Sequence, residues 1–346
     1  MGGRRRSAAR TGSAQNFETN PSGLARALTD NASFFVRSHF PAPQIDLESW
    51  RLTVEAEDGS RSTFTRAQLG RMRQRRVAVT LECAGNGRAG FGEVAEGEVA
   101  WGPGAVATAV WSGVPLSDLL PERMGGAVTQ VVAEGADSGA LPGRDGPVPY
   151  LRALPIEKAL EPDTILALRM NSRPIPPAHG FPARLVVPGW YGMASVKWVR
   201  TIRLLAGAPL ATHFNTTKYV YVTPAGARPV TEMRVKSLVT HPRDGETVRA
   251  GEASVIRGKA WSGAGAIERV RVWVDGVEGD AAVVQRRGPR AWATWSFAWT
   301  PRRPGPVSIR SRATDEAGNE QPDAPFANRY QYGFNAVRTI GVTVSD

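Results

Sequence analysis

The chain has 346 residues, of which 42% are hydrophobic and 22% charged, and it carries a formal net charge of +11. This length allows two domains with separate cores, whereas no apolar run approaches the roughly 20 residues that a membrane-spanning helix needs. The single cysteine, Cys83, excludes an intrachain disulfide scaffold. The 43 basic residues are spread along the chain and form no nucleic-acid-binding motif, so we expect neither a nucleic acid nor a membrane as partner. Such a charge suits an anionic substrate or an acidic protein partner.

Residues 1–31 form a polar amino-terminal segment. The arginines at positions 4–6 are not followed by the apolar stretch of a complete secretory signal. The sequence therefore predicts a cytoplasmic protein, with the periplasm as the alternative if a leader has been removed.

Residues 32–230 mix short strands, short helices and many loops rich in glycine and proline, a pattern typical of an α+β domain. Apolar, β-branched runs predict strands over residues 77–81, 185–187 and 199–205. Apolar periodicity predicts short helices over residues 114–120 and 155–160. We expect functional side chains on the loops, because loops on a rigid scaffold carry most binding sites.

Residues 231–346 alternate apolar and polar side chains, which predicts an all-β, immunoglobulin-like sandwich. The predicted strands cover residues 254–261, 267–274, 293–299 and 307–313. Turn residues such as Asp275-Gly276 separate them. The spacing of Trp295, Phe297 and Trp299 places all three on one face, either in the core or at a subunit interface.

Cys83 comes two residues after the end of the predicted strand over residues 77–81, in a glycine-rich turn that also contains Arg88. Gly85 and Gly87 allow close approach of a ligand and positive φ angles, and a nearby cation favours the thiolate. Three interpretations are open at this point: a buried structural thiol, a nucleophile that needs one of the four histidines as a base, or a metal ligand.

The segment Leu81-Glu-Cys-Ala-Gly-Asn-Gly-Arg88 resembles the cysteine segment of the sulfite oxidase family of molybdopterin-dependent oxidoreductases. Further stretches resemble this family in the same order: residues 34–43, 101–105, 111–116, 179–189, 196–198, 241–246 and 258–263. Together they span roughly residues 32–342, and several independent motifs are more specific than one. The resemblance, to bacterial members without a haem domain, implies an α+β molybdopterin-binding domain followed by an immunoglobulin-like dimerisation domain.

This resemblance implies one molybdenum–molybdopterin cofactor per chain, with the thiolate of Cys83 as the metal ligand. A soft thiolate is a suitable ligand for a thiophilic metal. The residues implied to contact the pterin and its phosphate are His39, Asp137, His179, Arg184 and Lys197.

On the substrate side, the resemblance implies that Arg37 and Arg88 bind an anion and that Tyr150 is the active-site tyrosine. Forked guanidinium donors hold an oxyanion in one orientation. Animal sulfite oxidases have a further arginine late in the chain, where this sequence has Tyr330, with Arg329 one position away. This departure predicts a different affinity for sulfite or a different substrate.

The resemblance implies that the protein is a homodimer and that it oxidises sulfite to sulfate. No haem-binding segment is present in the sequence, so we expect electrons to pass to a separate acceptor, cytochrome c or oxygen. Within the family, the alternatives are a nitrate reductase and a sulfoxide reductase. Outside it, they are a non-catalytic anion-binding protein and a cysteine hydrolase.

Overall fold

The computed structural model describes residues 14–122, 124–284 and 287–346, and β-strands dominate it. The strands before residue 231 are β1 (Asn16–Phe17), β2 (Val36–Arg37), β3 (Arg51–Glu55), β4 (Arg61–Thr65), β5 (Arg75–Glu82), β6 (Val106–Pro115), β7 (Val128–Gly139), β8 (Val148–Pro155), β9 (Ile165–Met170), β10 (Arg173–Pro174), β11 (Arg184–Val186), β12 (Val199–Ala206), β13 (Val220–Thr223) and β14 (Gly226–Pro229). The α-helices are α1 (Pro21–Ala25), α2 (Arg66–Arg71) and α3 (Ile156–Leu160). Single helical turns of 3-10 or π type cover Arg88–Phe91, Leu116–Leu119, Pro177–His179, Gly192–Ala194 and His213–Thr217.

Two five-stranded sheets form the larger part of the molecule. One has the strand order β10-β9-β6-β5, with β11 also pairing with β9, and the other has the order β4-β3-β12-β7-β8. β6 is buried along almost its whole length, which its continuous apolar run explains, because a strand covered on both faces needs no polar alternation. These sheets confirm the expected α+β architecture with short helices.

The helix predicted over residues 114–120 is largely wrong. β6 continues to Pro115, and only Leu116–Leu119 form a helical turn. Val114 pairs with Leu166 of β9, and the amide of Leu116 donates to Thr164 O at 2.8 Å. The apolar spacing of this segment fits a helix and a buried strand equally well. Pairing with the distant strand β9 decides for the strand.

The strands from Lys236 onward form a sandwich of two sheets. Its strands are β15 (Lys236–His241), β16 (Thr247–Arg249), β17 (Ser254–Trp261), β18 (Ile267–Val274), β19 (Val277–Asp280), β20 (Ala282–Val284), β21 (Ala293–Trp299), β22 (Gly305–Asp315) and β23 (Thr339–Ser345). One sheet has the order β15-β17-β21-β20 and the other β16-β23-β22-β18-β19. Asp275 and Gly276 both have positive φ in the two-residue turn between β18 and β19, as a tight hairpin of this type requires.

The aromatic face of β21 belongs to the core of the sandwich. Trp295 is 1% exposed, and Phe297 and Trp299 pack against the same cluster at its edge. The indole of Trp295 lies over Gly258, where an added Cβ would come within 2.1 Å of the ring. Any larger residue at position 258 would therefore displace this core tryptophan.

Glu82, the last residue of β5, ties the larger part of the molecule to the sandwich. Its buried carboxylate accepts hydrogen bonds from Lys236 Nζ at 3.1 Å and from Trp261 Nε1 at 2.9 Å. These two donors belong to β15 and β17. Asn86 Nδ2 supplies a third bond at 2.8 Å. Because this charge is fully paired away from water, the turn that follows Glu82 has a fixed position relative to the sandwich.

Among the described residues, no helix has the length and apolar character that crossing a membrane requires.

Candidate functional site

A cavity opens beside the turn that follows β5, lined by residues from several segments that come before the sandwich. The predicted site residues that line it are Arg37, His39, Cys83, Asp137, Tyr150, His179, Arg184 and Lys197. These side chains are far apart in the sequence, and the ends of β2, β5, β7 and β11 bring them together. Of the predicted set, Arg88 alone is not among the lining residues.

Cys83 follows β5 directly and begins a tight turn, in which the amide of Asn86 donates to Cys83 O at 2.9 Å. Gly87 has a φ of +82°, and an added Cβ on Gly85 would come within 2.7 Å of the Arg88 guanidinium. The thiol is 8% exposed, and burial raises its pKa, although the nearby Arg37 opposes the shift.

One end of the cavity is cationic. Lys197 Nζ donates to Ser38 Oγ at 2.6 Å and to Ala178 O at 3.1 Å. Arg184 donates to His179 O at 3.2 Å, while its buried Nε finds no hydrogen-bond partner in the described parts of the chain. Burial lowers the pKa of Lys197 well below its usual value and that of Arg184 to about 10. Burial likewise lowers the pKa of His179 to about 3, so this ring is neutral.

Among the residues that the structure describes, Asp137 is the one carboxylate that lines the cavity. Its Oδ1 is buried and has no partner among the described residues, and burial raises its pKa to about 7 against the opposing charge of Lys197. A single, weakly acidic carboxyl group does not balance the charges of Arg37, Arg184 and Lys197. Buried cations without counter-ions call for an anion, so the donor set fits a phosphate-bearing pterin beside a thiolate-bound metal.

Between these groups, Arg37, His39 and Tyr219 form a hydrogen-bonded chain. Arg37 Nη2 lies 3.1 Å from His39 Nδ1, and His39 Nε2 lies 2.5 Å from Tyr219 Oη. Burial and then Arg37 lower the pKa of His39, so its ring is neutral. Since a guanidinium can only donate, Nδ1 accepts, and Nε2 donates to the tyrosine oxygen. The hydroxyl proton of Tyr219 therefore remains available to a group in the cavity, and burial holds the pKa of this hydroxyl at about 12.

Tyr219 is a lining residue that the sequence analysis missed, because the alternation in Tyr219-Val-Tyr221 reads as an ordinary strand. Its φ of +43° is the signal that the sequence could not show. A tyrosine in the left-handed region is strained and often marks a functional position. Tyr150 also lines the cavity, stacks on His39 at 5.6 Å between ring centroids, and donates to Met193 O at 2.8 Å. With its hydroxyl engaged, Tyr150 is the less available of the two tyrosines.

Arg88 lies beside the cavity rather than in its wall. Its Nη2 is 3.0 Å from Glu98 Oε2, its Nη1 donates to Val99 O at 2.9 Å, and the guanidinium lies over the ring of Tyr332. Neither Arg329 nor Tyr330 lines the cavity. The ring of Tyr330 instead lies 4.9 Å from Lys218 Nζ.

Comparison with known proteins matches two family models to this chain. Residues 39–212 match the oxidoreductase molybdopterin binding domain, and residues 227–332 match the Mo-co oxidoreductase dimerisation domain. The mitochondrial sulfite oxidase of Rattus norvegicus is 33% identical over 95% of this chain and 64% of its own length. The sulfite oxidase of Gallus gallus is 35% identical over 88% of this chain and 70% of its own length.

Two other relatives have different activities. A nitrate reductase of Hordeum vulgare is 31% identical over 84% of this chain and 36% of its own length. The crystal structure of the sulfane dehydrogenase SoxCD from Paracoccus pantotrophus matches 97% of this chain and 86% of that chain, with a TM-score of 0.82 and 29% identity. The chain thus spans less than two thirds of the rat sulfite oxidase and about a third of the barley nitrate reductase. Its residues, its fold and both family matches place the chain in the sulfite oxidase family of molybdopterin-dependent oxidoreductases.

Proposed function

We propose that this protein binds one molybdenum–molybdopterin cofactor and oxidises sulfite to sulfate. The observation that supports this most directly is the cavity itself, where a buried thiol lies beside Arg37, Arg184 and Lys197, and no carboxylate in the described parts of the chain forms a salt bridge with these cations. When bound, the cofactor supplies two-electron oxygen-atom transfer. Overall, sulfite and water give sulfate, two protons and two electrons, and the electrons leave to a separate acceptor such as cytochrome c or oxygen.

Cys83 would hold the metal, since it presents a thiol to the cavity, and the thiolate is a soft ligand. Arg184 and Lys197 would bind the pterin phosphate, because both are buried cations with donors to spare. His39, His179 and Asp137 would contact the pterin from the same wall. The matched dimerisation domain supports a homodimer, and the cytoplasm remains the proposed compartment.

On the substrate side, Arg37 would orient the sulfite anion, because no carboxylate among the described residues neutralises it. Tyr219 would donate its hydroxyl proton to a substrate or product oxygen, since His39 already occupies the lone pair on its other side. This role falls to Tyr219 in preference to Tyr150, whose hydroxyl is bound to Met193 O.

The test is steady-state turnover of the molybdenum-loaded protein with sulfite and ferricyanide or cytochrome c. We expect sulfite-dependent reduction of the acceptor. The same preparation is tested with nitrate and with a sulfoxide, each with reduced viologen as electron donor, and with a persulfide and ferricyanide. The nitrate and persulfide assays correspond to the nitrate reductase and sulfane dehydrogenase relatives. Turnover with one of these substrates and none with sulfite would overturn the proposal. A preparation without molybdenum or pterin, from a host that makes the cofactor, would instead support a non-catalytic anion-binding protein.

Arg184→Met is expected to reduce cofactor retention at least about tenfold, because one charge-assisted hydrogen bond to phosphate contributes roughly 1.5–3 kcal/mol. The measurement is molybdenum content together with the fluorescence of the pterin released on denaturation. Arg169→Met is the matched control, since Arg169 is exposed on β9, the strand that pairs with β11 beside Arg184. Equal cofactor content in both variants would contradict the assignment.

A further inference from the structure

Beside the cavity, the carboxylate of Glu98 bridges two cations. Its Oε2 lies 3.0 Å from Arg88 Nη2, and its Oε1 contacts Lys218 Nζ. The side chains of Arg88 and Glu98 are only 3% and 7% exposed, and that of Lys218 is 23% exposed. The triad thus runs from the interior, at Arg88, toward solvent, at Lys218.

Two aromatic rings frame this triad and connect it to the cavity. Arg88 lies over Tyr332 at 5.3 Å and Lys218 over Tyr330 at 4.9 Å. Tyr332 stacks on Tyr219, a lining residue, with 5.4 Å between ring centroids. On its other side, the guanidinium of Arg88 packs against Gly85, two residues after Cys83. The triad is therefore separated from the cavity by single side chains.

The cations around the cavity differ in their partners. Arg37 contacts Asn16, Ser38 O and His39, and no carboxylate among the described residues neutralises it. Arg88 and Lys218 share one carboxylate instead. A carboxylate presents two acceptor oxygens to a guanidinium, in the same way as a sulfur oxyanion does. Glu98 thus holds the Nη2 donor of Arg88, while Nη1 donates to Val99 O.

We propose that Glu98 is a specificity-determining residue: its carboxylate competes with the oxyanion for Arg88 and Lys218 and weakens the binding of dianions at the substrate end of the cavity. This inference rests on the proposed function for the class of ligand, a sulfur oxyanion. At the substrate end a dianion such as sulfate meets Arg37, which no carboxylate of the described residues neutralises, whereas Glu98 engages Arg88 and Lys218. The product is therefore held less tightly. Glu98 acts through the two cations and is not itself a catalytic residue.

The experiment is calorimetric titration of the loaded enzyme with sodium sulfate at constant ionic strength, which needs no turnover. Glu98→Gln keeps the size of the side chain and removes its charge. We expect sulfate to bind at least about tenfold more tightly, because removing a unit charge in direct contact with two cations has a large effect at the low effective dielectric of a partly buried site. Glu96→Gln is the matched control, with the same charge change at an exposed position of the same loop. The control is expected to bind sulfate within about twofold of the parent, in line with the screening of exposed charges.

Equal or weaker sulfate binding by Glu98→Gln, or an equal gain in Glu96→Gln, would overturn the role of Glu98. If Glu98→Gln does not fold, Glu98→Asp retains the charge but is one methylene shorter and cannot reach both cations equally well. An intermediate gain of about threefold is then expected from partial loss of the contact, and an unchanged affinity would overturn the proposal. Failure of the parent enzyme to oxidise sulfite would affect the proposed function alone, because this comparison depends only on binding.

Discussion

Cys83→Ser is expected to lower molybdenum-dependent turnover by at least about 100-fold, since changes to groups that only support a metal ligand already cost 10–100-fold. The buried thiol is a soft donor in the cavity, whereas a serine hydroxyl at the same place is hard and stays protonated at neutral pH. The measurement combines kcat with molybdenum content and with the absorption band that a metal–thiolate bond produces.

Serine is close to cysteine in size, so the same variant controls for folding. We expect its melting temperature without the cofactor to remain near that of the parent. If the Cys83→Ser enzyme keeps the thiolate absorption band and turns over within tenfold of the parent, Cys83 is not the metal ligand. Inactivation of a metal-free parent by alkylation would instead point back to the cysteine hydrolase.

Lys236→Met is expected to lower the free energy of unfolding by about 3–5 kcal/mol, because it leaves the buried carboxylate of Glu82 without its cation. The hydrogen bonds from Trp261 and Asn86 remain but carry no formal charge. Denaturant unfolding of the parent and the variant under identical conditions gives the difference.

The double variant Lys236→Met with Glu82→Gln is expected to recover at least half of this loss, since a neutral amide needs no counter-ion. Arg269→Met provides the matched surface control. The ion pair of Arg269 with Asp280 is more than half exposed, and its removal is expected to cost no more than about 1 kcal/mol. If Lys236→Met costs as little as Arg269→Met, the contact does not stabilise the junction.

Regular alternation made the sandwich predictable. The predicted strands over residues 254–261, 267–274 and 293–299 coincide with β17, β18 and β21, because a strand with one buried face must alternate. The segment around Leu116 was not predictable in the same way. Its apolar spacing fits a helix, and only the distant β9 decides between the two structures.

In the candidate site, too, some residues could be predicted from the sequence and others could not. The motifs that resemble the family pointed to residues that the fold brings to one cavity, including Cys83 and Lys197. Tyr219 and Glu98 were not found, because their importance comes from contacts between segments far apart in the chain. The histidine that meets Tyr219 lies 180 residues away, and the lysine that meets Glu98 lies 120 residues away. No local pattern records either contact.

The hydrogen bonds of Glu82 to the sandwich also imply that the sandwich must fold before the cofactor binds. Glu82 directly precedes Cys83, whereas its partners Lys236 and Trp261 are synthesised more than 150 residues later. Before the sandwich packs against the rest of the chain, the Glu82 carboxylate lacks these two donors and remains hydrated. The turn that contains Cys83 is then not held in its final position. We therefore expect the sandwich to be required for cofactor insertion: a chain that lacks it, nascent or truncated, does not present a finished cavity and does not retain the cofactor.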